Sequence, residues 1–127
     1  MHFHLFGEVS SEITTGLTRH GHTLHTLADL GDHPQATELA APSPELLMSV
    51  LEQKQWNCLT ADGEFLRRFY EEKIIFPYLI IHVLPTALND ATAVDRLFER
   101  YPRLTPRRMY TITPSRIKIR QLPGLPG

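Results

Sequence analysis

The chain reads as an α/β domain of three layers, α/β/α, with a mostly parallel central sheet and a C-terminal antiparallel hairpin. Short apolar runs of strand type alternate four times with segments whose apolar residues recur at helical spacing, the pattern of βαβ units. The last two strand-like stretches are joined tightly through Thr113-Pro114-Ser115, as in a hairpin. A length of 127 residues, with 42% hydrophobic and 21% charged side chains, suits one globular domain with its own core. That domain is expected over residues 1–121, with 122–127 as a loose tail.

Taken in order, Phe3 to Phe6 is a buried first strand ending at Gly7-Glu8. Ser10 is placed to cap a helix that runs through Ile13 and Leu17 to Arg19, with Gly21 closing it. Two threonines and Gly16 give that helix poor intrinsic propensity, so packing must hold it. His22 to Leu27 gives a second, half-polar strand, and Ala28 to Pro42 a long loop with one helical turn. Ser43-Pro44-Glu45 combines a cap, a proline at the first helical position and an acid in the first turn, and Leu46, Leu47, Val50 and Leu51 form the stripe that follows.

The stretch Trp56 to Phe69 organises the rest. Trp56-Asn57-Cys58-Leu59 suits a buried strand, Thr60-Ala61-Asp62-Gly63-Glu64 breaks it, and Phe65, Leu66, Phe69 and Tyr70 recur at helical spacing. Asp62 is therefore a helix cap by one reading and a site residue by another, since open α/β sheets bind ligands beyond the carboxyl ends of their strands. Tyr78 to Val83 is a central strand. Asn89 or Asp90 is placed to cap a helix carrying Val94, Leu97, Phe98 and Tyr101 on one face. In the closing strand Ile117 and Ile119 alternate with Arg116, Lys118 and Arg120, which marks one wet face.

Residues 1–99 hold all 14 acids and six of the 13 Lys/Arg, a net −8; residues 100–127 hold the other seven and no acid. Such a split points either to an anionic partner for the basic end or to mutual neutralisation with the acidic body. The single cysteine, Cys58, cannot form an internal disulfide. With neither a leader-like start nor an apolar run long enough for a bilayer, the expected setting is cytoplasmic and without a membrane partner.

Glycine-rich phosphate loops, nucleophile elbows and paired cysteines are absent. His2, His4, His20, His22, His25, His33 and His82 lack the spacing of a helical metal motif and read as strand and surface histidines. What remains is a set of acids: Glu8 past the first strand, Glu45 opening a helix, and Asp62 and Glu64 past the third strand. Carboxylates gathered at strand ends repel one another unless a divalent cation sits among them, and Mg²⁺ or Mn²⁺ prefers such ligands. An ion held there can activate water and stabilise phosphoryl oxygens. A flavodoxin-like phosphoryl receiver would need an aspartate ending the third strand and a lysine after the last parallel strand; no lysine follows Val83, and that reading is set aside.

The succession Arg19-His20-Gly21-His22, Ser43-Pro44-Glu45 and Thr60-Ala61-Asp62-Gly63-Glu64-Phe65, closed by a hairpin, resembles the small bacterial PIN-like domains over about residues 3–120. The resemblance implies a PIN-like fold and a toxin-type ribonuclease that hydrolyses RNA at an acidic Mg²⁺ or Mn²⁺ site. It matches Glu45, Asp62 and Glu64 to metal-binding acids and Thr60 to the hydroxyl beside them. The first strand departs from the family's Asp-Glu ending, showing Phe6-Gly7 with Glu8 one step on, and Pro44 stands where an aspartate is common. Two functions follow. One is a nuclease with Glu8, Glu45, Asp62 and Glu64 on the metal and Arg116, Lys118 and Arg120 on phosphates. The other is an inactive module that binds RNA or a protein partner such as an antitoxin. A homodimer is compatible with either.

Overall fold

The computed structural model describes residues 1–30 and 43–124. Six strands form one sheet: β1 (His2–Phe6), β2 (Thr23–His25), β3 (Asn57–Thr60), β4 (Ile80–Val83), β5 (Arg108–Ile112) and β6 (Ile117–Gln121). Their spatial order is β2-β1-β3-β4-β5-β6, with every neighbouring pair parallel except the β5–β6 hairpin. The first strand of the hairpin is thus a fifth parallel strand. Four helices complete the α/β/α arrangement: α1 (Ser11–Arg19), α2 (Pro44–Lys54), α3 (Gly63–Glu71) and α4 (Ala93–Arg100).

Helices α1 and α4 pack on one face of the sheet, α2 and α3 on the other. Alternate strand residues serve the two sides. Phe3, Leu59, Ile81 and Tyr110 join Ile13, Leu17, Val94 and Leu97 in one core, while Cys58, Ile80 and Met109 join Leu47, Leu51, Phe65 and Phe69 in the other. A strand covered on both faces needs apolar residues at consecutive positions, as Cys58-Leu59 of β3 and Ile80-Ile81 of β4 supply.

The weak propensity of α1 has a packing reason at Gly16. A Cβ there would come within 2.9 Å of the Val94 Cβ, so glycine lets α1 and α4 approach closely. Arg19 and His20 strengthen the same contact by sharing Asp95, at 3.0 and 2.7 Å. Gly21, at φ +86°, ends the helix, and the His22 N–H reaches back to the Leu17 carbonyl.

Three local expectations are revised. Ser10 occupies the cap position of α1 but its hydroxyl donates to the Leu88 carbonyl, tying α1 to the segment after β4. The helix expected to be capped by Asn89 or Asp90 starts later, with Thr92 at the cap position; Asp90 instead accepts from the Thr92 N–H and hydroxyl and from Arg96. The chain beyond Gln121 is not loose from its start: Leu122 is buried in the α2/α3 core and its N–H donates to the Arg107 carbonyl at 3.0 Å. Of the expected 28–42 loop, residues 31–42 lie outside the described residues, as do 125–127 of the tail. Leu27–Leu30 forms one 3₁₀ turn.

Candidate functional site at the strand ends

The chain reverses its direction of winding between β1 and β3, since β2 lies on one side of β1 and β3, β4 and β5 follow on the other. Loops leaving two such strands diverge, and the gap between them is where doubly wound sheets take ligands. A cleft of about 920 Å³ opens at this end of the sheet on the α1/α4 side, lined by Phe6 at the end of β1, Gly7, Glu8 and Ser10 after it, Thr26 and Leu27 after β2, and Leu88 and Asn89 after β4. Gly7, at φ +79°, turns the chain out of β1 and sets exposed Glu8 on the rim.

The other sequence-selected acids have different surroundings. The Asp62 carboxylate accepts from the Phe65 N–H at 3.0 Å and so caps α3. Thr60 is fully buried, and its hydroxyl oxygen accepts from the Asp62 N–H at 3.0 Å, fixing the turn that aims the cap. Glu64 projects into solvent and is held by Arg67, whose hydrogen bonds keep its carboxyl below the usual range. Glu45 is exposed in the first turn of α2, behind a Ser43 cap that accepts from the Leu46 N–H at 3.2 Å. Among the described residues, no group of three or more His, Cys, Asp or Glu side chains is placed to hold a metal ion.

The basic residues divide. Lys118 and Arg120 are register partners of Thr111 and Met109 and therefore lie on the α2/α3 side of the sheet. Arg120 lays its guanidinium 3.6 Å from the centre of the Tyr70 ring, and the Tyr70 hydroxyl donates to the Gln121 carbonyl. Arg116 precedes β6 and lines a separate hollow with Arg96, Glu99 and Arg100 of α4. The three do not form one stripe, because the turn at Pro114-Ser115 ends before the pleat begins.

Sequence reasoning missed His82. It sits on β4 between Thr60 of β3 and Thr111 of β5, giving a polar row across three strands near their carboxyl ends. Its Nε2 is buried without a partner, and burial lowers its pKa against an opposing pull from Asp62. Within an apolar run such as YLIIHV, only strand register reveals those neighbours.

The fold and the cleft define the class: a doubly wound α/β domain with the strand order 2-1-3-4-5 found in flavodoxin, extended by an antiparallel edge strand. That order moves the receiver comparison to a different residue, because the last parallel strand is β5 and the position after it is Thr113, again not lysine. In comparisons with known proteins, no family model, curated protein or solved structure matches this chain. No helix among the described residues is long and apolar enough to cross a membrane.

Proposed function

We propose that this chain is a PIN-like module that binds single-stranded RNA through its C-terminal hairpin and does not cut it. The observation that carries the reading is the pairing of Lys118 and Arg120 on one face of β6 with Tyr70, a combination of cations and an aromatic ring. Strand-tracking surfaces use such cations for phosphates and such rings for base stacking. The absence of any acid after Glu99 keeps this end positive. Asp62 and Glu64, two of the three acids that the resemblance matches to metal ligands, are engaged in capping α3 and pairing with Arg67.

The test is a titration of labelled single-stranded RNA at several salt concentrations. The Lys118→Ala/Arg120→Ala double variant should lower the slope of log K against log salt by about 1.4, at roughly 0.7 per lost phosphate contact. An unchanged slope would return both residues to an ordinary solvated surface. A second reading, an Mg²⁺- or Mn²⁺-dependent ribonuclease, is favoured by Glu8 on the rim of the strand-end cleft. Cleavage that requires Mn²⁺ and disappears in Asp62→Asn would establish it over the non-cutting module.

A further inference from the structure

Strand β6 ends the sheet, with one side unpaired among the described residues. The Thr113 N–H donates to the Arg116 carbonyl, and the Leu122 N–H to the Arg107 carbonyl. Hydrogen-bonded pairs alternate along an antiparallel ladder, so Lys118 and Arg120 also turn their backbone groups toward β5. Ile117, Ile119 and Gln121 therefore present theirs to the open edge. The Tyr70 hydroxyl donates to the Gln121 carbonyl, which has a second lone pair for another donor.

This edge is complementary to itself. A second copy laid antiparallel, with Ile119 opposite Ile119, pairs Ile117 with Gln121 on either side and uses every outward group of the five-residue strand. Ile119, 38% exposed and in register with Tyr110, would then meet its own copy on the α1/α4 side. On the α2/α3 side the same register sets Lys118 directly opposite Arg120 of the other copy, twice. Like charges in that position oppose pairing, and cations on an edge strand guard against it. Neither cation forms an ion pair among the described residues.

We infer that β6 is a self-association edge held open by Lys118 and Arg120, and that single-stranded RNA closes it by joining two copies into one continuous sheet. The inference rests on the RNA reading of the hairpin and adds a second copy to that site. A two-fold axis through Ile119, perpendicular to the sheet, keeps the α2/α3 sides of both copies on one face. Four cations and two Tyr70 rings then form a single surface, and phosphates lying between Lys118 and the opposing Arg120 replace repulsion with charge-assisted hydrogen bonds.

Sedimentation of the untagged chain alone should show one copy at low and high concentration. With polyuridylate of about 10 nucleotides it should show two copies per strand, bound cooperatively. Ile119→Pro removes an outward N–H that the ladder with β5 does not use, and Ile119→Lys sets like charges across the two-fold axis. Position 119 is exposed, so both variants should stay folded by circular dichroism and bind the RNA as one copy. Lys118→Thr/Arg120→Thr, with its guard removed, should associate without RNA. A two-copy complex that persists in the folded Ile119 variants would overturn the inference. So would a threonine double variant that stays monomeric, or a wild type that pairs without RNA. Wild type that binds RNA as one copy refutes the coupling alone, whereas RNA that does not bind at all refutes the reading of the hairpin and the coupling with it.

Discussion

Protonating His4 means placing a charge on a ring that is 2% exposed, between β2 and β3 and behind Trp56. Burial is the main reason its pKa falls from 6.5 to about 4; the nearby His25 lowers it further and Asp29 opposes the change. The folded state therefore binds fewer protons than the unfolded chain between those values, and stability rises with pH through that window. The contribution is complete above pH 6.5 and is lost as pH falls toward 4. A shift from 6.5 to about 4, at about 1.4 kcal/mol per unit, limits the effect to roughly 3 kcal/mol, most of it lost between pH 7.5 and 4.5. His22, His25 and His82 shift in the same direction, chiefly through burial, and add to the loss. The perturbation that isolates His4 is replacement by Phe, which keeps a flat ring against Trp56 and cannot be charged. Urea unfolding of both proteins at pH 7.5, 6.0 and 4.5 should show the variant losing roughly 2 kcal/mol less than the wild type across that range. Parallel pH dependences in the two proteins would refute the reasoning, because His4 would then not be the group whose protonation opposes folding.

Two further outcomes follow from packing and capping. Asp62→Ala should cost about 1 kcal/mol in urea unfolding through loss of the α3 cap, and Asp62→Asn should recover most of it, because the amide oxygen still accepts from the Phe65 N–H. Gly16→Ala should destabilise by about 1–3 kcal/mol despite better helix propensity, since its methyl group meets Val94. Adding Val94→Ala should return part of that loss, and strictly additive costs in the double variant would argue against the close approach of α1 and α4.

The acids carried two readings through the sequence, and their local surroundings separate them. Asp62 announces a cap by position alone: a polar residue at the end of an apolar run, three before Phe65, in a turn shaped by Thr60. Capping is a local interaction, so local sequence suffices to find it. Whether Asp62 also faces Glu45 depends on how α2 and β3 are disposed, a distance that no spacing in the chain specifies. The same applies to the RHGH segment: Gly21 as the helix terminator is visible in the sequence, but the engagement of Arg19 and His20 by Asp95 crosses 75 or more residues.

The sequence by itself determined the elements and their faces, because periodicities of two and 3.6 are imposed by backbone geometry and need no distant partner. It therefore contained the two-sided burial of β3 and β4, the Ser43 and Asp62 caps and the antiparallel closing pair. Only the tertiary structure decided the strand order, since many orders satisfy the same alternation of apolar faces and the choice rests on how helices cover both sides of the sheet. That choice put β1 between β2 and β3, which brought His25 against His2 and Trp56 and placed His82 between two threonines. Leu122 follows the same logic: a leucine among prolines and glycines reads as tail until α2 and α3 leave an apolar hollow that it fills.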